Sequence, residues 1–457
     1  MSKSGRRRAS IAFAATAAFL VFLGAPPVHA SSWTVEPRWV KAHEDFLAST
    51  ALEGRGSATR DEAITAAYVA SEFEAYGLKP APGSGGYTQV GRIVRPHLAG
   101  TPNLAIPGSS PLASLRLLMA TGDVGGAYVT FDGSPASSMP SAPIVVASNP
   151  QANFEQLLDA ARARKVSLLI VADSPETRLY FERRGNRTAV RSYLEDSSPP
   201  QGLAVATLST SDLLHVERSP VRSVELKVPL ENSIAETTNA IGYLPGTDPG
   251  AGVLLISAHL DHLGIVDGRI MPGANDDASG TTGVLELAHA LASGQPMRRG
   301  ILFVCYGSEE LGGFGSRYFA LHPPFPLSSI IANLELEMIG SQDPKLPKGH
   351  LMMTGFERSD FGQILESKGA LVSPDPYPEE HFFRRSDNYS LALKGIVAHT
   401  LSGWAVPPTY HQPTDTIDRL DTGFMTAAIQ SLIDPLRFIA NGSETPQWRK
   451  GGRPEED

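Results

Sequence analysis

The sequence predicts an α/β protein, with a mostly parallel central sheet sandwiched by helices and a smaller α/β module inserted into it. Three observations carry this. After residue 235, short apolar runs alternate with helix-spaced segments, the rhythm of strands buried on both faces and joined by covering helices. Residues 108–228 differ in character, with β-like runs separated by Ser/Pro/Gly-rich spacers. The 457 residues, 42% hydrophobic and 19% charged, exclude disorder as the main state and are enough for more than one core.

The elements follow in chain order. A basic cluster (Arg6, Arg7, Arg8), an apolar run over 11–24 and the small-residue site Val28-His29-Ala30 read as a signal peptide over 1–30. That run is shorter than the roughly 20 residues a membrane span needs. The mature chain is therefore expected to be exported, periplasmic or extracellular, with no stable span. Helical spacing over 39–47 and 61–78 predicts two opening helices, the second stopped by Gly77 and Pro80. Between them, 52–57 carries too many glycines to stay helical.

In the insert, 143–147 and 166–171 read as strands with a helix over 153–164 between them, and the basic stretch 178–191 reads as a solvated loop. Strands at 253–258, 301–306, 330–338 and 395–401 then alternate with helices at 279–292, 314–321 and 360–368. A closing helix over 424–438 is expected to be interrupted at Pro435. The predicted division is 31–107 and 229–442 for the main domain, 108–228 for the insert, and a disordered polar tail over 443–457.

A net charge of −9 argues against a nucleic-acid surface. Cys305, the only cysteine, excludes an internal disulfide. Its apolar run predicts a buried, inert thiol.

Ligands of open α/β sheets collect at the carboxyl ends of the strands. The ionisable residues fall there: His259, Asp261 and His262 after the first strand, Glu309 and Glu310 after the next, Glu335 and Glu337 on a third, and the loop Tyr410-His411-Gln412-Pro413-Thr414-Asp415. Imidazoles and carboxylates gathered on one sheet edge are poorly solvated unless cations sit among them. A His and carboxylate mixture without thiolate suits zinc with positions left open for water. Other residues read more plainly. His262 is a loop residue, His289 a helix-surface or packed one, and Asp277 a helix N-terminal charge. Gly280 and Gly283 are close-packing positions, and Ser308 lacks the G-x-S-x-G frame.

The fragments AHLDHLG, GANDDASGTTGVLELA, YGSEELGGFGS, LEMIG and YHQPTDTID, in this order, resemble the co-catalytic dizinc aminopeptidases, family 28 of the metallopeptidases. The opening HEDFLASTALEGRGSATRDE and the lead-in TTNAIGYLPGTDP are similar too, and 108–228 resembles an inserted protease-associated domain. The resemblance implies a zinc exopeptidase fold of the phosphorylase/hydrolase-like kind and two zinc ions per chain, other divalent transition metals being alternatives. It makes His259 a ligand of one zinc, Asp276 the bridge, Glu310 and His411 ligands of the second, and Glu337 the stand-in for the family's usual Asp. Glu335, two residues earlier in the strand, is a rival that spacing does not exclude. By the same resemblance Asp261 accepts the other ring N–H of His259. Glu309 is the general base for water bridging the metals and returns its proton to the leaving amine. The segment Arg385-Ser386-Asp387-Asn388-Tyr389 resembles one near the substrate pocket, with Asn388 where His is common, so Arg385, Asp387 and Tyr410 are substrate-binding candidates. The implied activity is removal of N-terminal residues from peptides. A carboxypeptidase or dipeptidase, a glutaminyl cyclase and a non-catalytic peptidase-fold binder are the alternatives.

Overall fold

The computed structural model describes Met1 and residues 33–455. The expected signal peptide therefore lies outside the described residues, apart from Met1. Nine strands form the main sheet, in the order Val372–Pro374, Leu351–Met353, Ala398–Ser402, Ile330–Leu336, Val253–His259, Gly300–Tyr306, Leu230–Leu244, Thr88–Leu98 and Tyr193–Leu194. The four at its centre, from Ala398–Ser402 to Gly300–Tyr306, run parallel, and antiparallel pairings flank them on both sides.

Alternation within these strands buries two faces, as a doubly covered sheet requires. Leu254, Ile256, Phe303 and Cys305 pack into the larger core. Leu255, Leu302, Val304 and Tyr306 pack into the core on the opposite side. Ser279–Ala292, buried nearly all round, lies between the sheet and the helices Pro37–Leu47 and Thr422–Asn441. Phe314–Leu321 and Asn388–Leu393 pack together on the other face. Cys305 is buried as the apolar run predicts, and burial pushes its thiol well above the usual range.

A second, six-stranded sheet holds Val129–Phe131, Ile144–Ala147, Leu168–Ala172, Ala204–Leu208, Arg116–Ala120 and Ala189–Val190. Its pairings are parallel except between Ala204–Leu208 and Arg116–Ala120. Asn103–Ala105 pairs with Ser223–Lys227, so these residues belong with the insert and not with the main domain. The natural division is at Leu98 and Leu230, register partners on the long hairpin that carries the insert.

Three further expectations are corrected. Pro175–Glu182 is a helix that runs into the start of the stretch read as a loop, nucleated by a Ser174–Thr177 capping box with Pro at its first turn. The closing helix runs unbroken through Pro435, which is buried among Leu432, Ile433 and Leu436, so tertiary packing outweighs the lost N–H. Over 443–455 the polar tail is ordered. Trp448 donates its indole N–H to the Gly395 carbonyl at 3.0 Å and packs against Phe383 and His399. Gln447 and Arg449 pair with Asp360 and Arg358. An aromatic anchor and long-range pairings hold the tail, and composition does not reveal them.

Candidate metal and catalytic site

Each candidate side chain leaves the carboxyl edge of the parallel strands or a loop laid over it. His259 ends its strand, Glu309 and Glu310 follow Gly300–Tyr306, and Glu337 follows Ile330–Leu336 at the point where Met338 turns left-handed (φ 54°). Asp276 precedes the helix Ser279–Ala292, and the Asp276–Asp277 peptide is cis.

Two triads of ligand-type atoms result, each within 4.8 Å of one another: His259, Asp276 and Glu337, and His262, Asp276 and Glu310. Asp276 belongs to both. His259 Nε2 stands 3.3 Å from Asp276 Oδ1, and His262 Nδ1 is 2.8 Å from Glu310 Oε1. His411 Nε2 lies 3.2 Å from both Asp276 Oδ2 and Glu310 Oε2, so it joins the second group. His259 Nε2, both ring nitrogens of His262 and Glu310 Oε1 are buried without hydrogen-bond partners. Buried donors and acceptors are rarely left so. Orphaned nitrogen and oxygen atoms converging around one shared carboxylate fit a pair of divalent cations.

The electrostatics point the same way. Burial raises the Glu309 carboxyl well above its usual range, and Asp387, Glu337 and Glu310 add repulsion against the pull of His259. Glu337 is raised by burial and by Asp276. Burial also acts to raise Asp276, but the imidazoles of His259, His411 and His262 beside it hold it below the ordinary carboxylate range. Burial would lower His411, yet Asp276 and Glu310 push it up to about 10. So many carboxylates in one dry pocket need counter-charge beyond the imidazoles.

The structure separates the two rivals on the third strand. Glu335 accepts the Asn388 amide and the Thr400 hydroxyl and belongs to neither triad, while Glu337 joins His259 and Asp276. Asn388 clamps that region through Glu335, Phe383, Ala398 and Thr400.

Asp261 differs from expectation. Its carboxylate is 3.7 Å from His259 Nδ1, beyond hydrogen-bond range, and the nearer acceptor is its own main-chain carbonyl at 3.2 Å. The carboxylate oxygens instead accept the amides of Glu309 (2.9 Å) and Glu310 (3.4 Å) and the Ser57 hydroxyl (2.5 Å). With its lone pairs so engaged, Asp261 fixes the turn carrying both glutamates.

Sequence reasoning passed over four residues. His262, read as a loop residue, is inside the second triad; its place three residues after His259 was the available signal. Asp415 accepts the amides of Asn275 and Asp276, holding the shared carboxylate's loop. Arg55 is fully buried and bonds the carbonyls of Leu47, Leu260, Pro272 and Gly273. Glu62 accepts the amides of Ala58 and Thr238 and the hydroxyl of Ser308 next to Glu309. Nothing local in the sequence marks Arg55 or Glu62, whose partners are up to 246 positions away.

Asp277 fits its helix-end reading, accepting the Gly280 amide, and it also ties down His259 and Met338. His289 is packed between Trp33 and Tyr76, away from the site. Among the substrate candidates, Tyr410 stacks on His411 with ring centroids 3.9 Å apart. Tyr410 and Arg385 line a small recess with Glu337 and Met338. Asp387 is buried with neither oxygen hydrogen-bonded, and it lines a larger cavity with Glu309.

Residues 239–434 match the model of peptidase family M28. The chain is 26% identical over 306 residues to the probable lipoprotein aminopeptidase LpqL of Mycobacterium tuberculosis, covering 59% of this chain and 56% of that protein. It is 36% identical over 182 residues to the aminopeptidase YwaD of Bacillus subtilis, covering 37% of each. The chain thus spans about half or less of the length of these curated relatives. In three dimensions it resembles BSAP, a zinc aminopeptidase from Bacillus subtilis, with a TM-score of 0.52 at 19% identity over 88% of this chain and 95% of the other. That likeness carries the fold, and no described helix is long and apolar enough to cross a membrane. The segment that matches the family model contributes every residue of both triads together with His411 and Glu309.

Proposed function

We propose that the chain is an exported zinc-dependent aminopeptidase that removes N-terminal residues from peptides. The observation that carries this reading is the sharing of Asp276 between two ligand triads, with Glu309 beside them on a cavity wall. The names of the relatives support it, since LpqL and YwaD are both called aminopeptidases and BSAP a zinc aminopeptidase.

In this reading each chain takes two zinc ions. His259, Asp276 and Glu337 hold the first; Asp276, Glu310 and His411 hold the second, with His262 against Glu310. Held by these residues, two zinc ions would supply Lewis acidity toward water and the scissile carbonyl. Glu309 accepts a proton from the attacking water and returns it to the leaving amine. Its raised affinity for protons suits a group that must hold one between the two steps. Asp261 keeps Glu309 and Glu310 in register through their amides. Tyr410, Arg385 and Asp387 border the substrate. The insert between Leu98 and Leu230 is read as protease-associated-like, and the signal peptide over 1–30 directs the chain to the periplasm or beyond.

The test combines metal analysis with a panel of aminoacyl and carboxyl-terminal chromogenic substrates. Two zinc ions per chain are expected, with hydrolysis of the aminoacyl set abolished by chelator and restored by zinc. Activity unaffected by chelator, or confined to the carboxyl-terminal set, overturns the reading.

A further inference from the structure

A cavity of about 560 Å³ opens beside the triads, and its lining is electrically polarised. Glu309 and the buried Asp387 form part of its wall, and Leu194, Ala320 and Leu393 supply apolar surface. Its exposed margin carries Arg317 and Arg384. Neither guanidinium has a carboxylate partner among the described residues. Instead Arg317 lies 5.2 Å from the centroid of Phe314, and Arg384 lies 5.9 Å from that of Tyr389. Two arginines lodged against rings at one cavity mouth, in a chain of net charge −9, form a fixed patch suited to a planar anion.

The direction of the substrate follows from proton chemistry. Glu309 must reach the leaving nitrogen, so the wall that contains it borders the part of the peptide after the scissile bond. The separate recess lined by Glu337, Met338 and Tyr410 is left for the residue before it. A cavity of this volume encloses one or two residues of peptide.

Building on the aminopeptidase reading, we propose that this cavity receives a leaving segment bearing a carboxylate, which Arg317 and Arg384 bind. The carboxylate has two sources: the free C-terminus of a di- or tripeptide, or an acidic side chain in the residue after the bond. The first makes the enzyme a finisher of short peptides.

The test compares kcat/KM for Leu-Ala, Leu-Ala-NH2 and Leu-Glu-NH2 on the zinc-loaded full chain. We expect Leu-Ala to exceed its amide by about tenfold, the size of one charge-assisted contact. Leu-Ala ahead of both amides assigns the carboxylate to the C-terminus, Leu-Glu-NH2 alone ahead of the other two assigns it to the side chain, and both ahead of Leu-Ala-NH2 shows that either serves. In the double variant R317Q/R384Q the preference should collapse to within about twofold, and raising salt about tenfold should erode it in the wild type. Both arginines are exposed, so thermal unfolding of the variant should match the parent. Equal hydrolysis of all three peptides, or a preference that survives the double substitution, overturns the carboxylate site and leaves the peptidase standing. No hydrolysis of any of them overturns both.

Discussion

Glu309 and Glu310 are adjacent in sequence but have different electrostatic surroundings. The imidazoles of His262 and His411 hold Glu310 below its usual range against the effect of burial, while burial and neighbouring carboxylates raise Glu309. Replacing Glu309 with Gln preserves shape and removes the proposed base, so turnover should fall by about 10²–10⁴-fold with metal content unchanged. Metal analysis beside kinetics checks this, and metal loss would make Glu309 a ligand. The motif made this pair legible. It left Glu335 and Glu337 tied, because a period of two places both on one strand face. The strand ends at Leu336 and the chain turns at Met338, a backbone event that the sequence does not announce. Away from the site, His399 is buried between Ser359 and the Thr354 carbonyl, and burial lowers its imidazole to about 4 from 6.5. Above pH 6.5 both folded and unfolded chains keep it neutral. As pH falls from there to about 4, only the unfolded chain takes the proton, so stability drops by about 3 kcal/mol across that window. His399→Gln should flatten this acid dependence, measured by urea unfolding at about pH 7 and about pH 5. An unchanged slope would remove His399 as its origin.

At the level of elements, the helix Ser279–Ala292 connects the core to the site. Its N-terminus meets the end of Ile330–Leu336 so closely that a Cβ on Gly280 would lie 2.2 Å from the Leu336 carbonyl and 2.4 Å from an Asp277 oxygen. One contact is main chain, and the other is a carboxylate pinned by His259 and Met338, so neither yields cheaply. Gly280→Ala should therefore cost about 1–3 kcal/mol, as overpacking does, and weaken metal binding through the displaced Asp277. Urea unfolding and metal titration report the two effects, and a variant normal in both would refute the close approach. Elements of this kind were legible because they are apolar and periodic. The strand Leu230–Leu244 was not, since its first half, Leu-Glu-Asn-Ser-Ile-Ala-Glu, is mostly exposed and shows no clean alternation. Only pairing with Thr88–Leu98 makes it a strand, and pairing across more than a hundred residues has no local signature.

For the whole molecule, the question is how the insert is coupled to the site. It leaves and re-enters the main sheet at neighbouring positions, Leu98 opposite Leu230, yet it returns to that sheet once more at Tyr193–Leu194, which pairs with Thr88–Leu98. There Leu194 packs with Ile93 and Phe314 and lines the cavity that contains Glu309, while Arg92 pairs with Glu195 at 2.7 Å. Replacing residues 99–229 with Asn-Gly closes the hairpin with a turn that suits its twist. The triads, Glu309 and their supporting residues all lie outside the deleted stretch, so zinc stoichiometry should be unchanged. Uncovering Ile93 and Phe314 should cost about 2–4 kcal/mol, seen as a lower urea midpoint. Because one wall of the cavity leaves with Leu194 and Ser197, KM for dipeptides should rise by about tenfold or more, with a smaller change for a substrate whose leaving group is a flat chromophore. Loss of zinc along with the insert would mean that the second sheet holds the site together. Equal KM values before and after would mean that it has no part in binding the peptide.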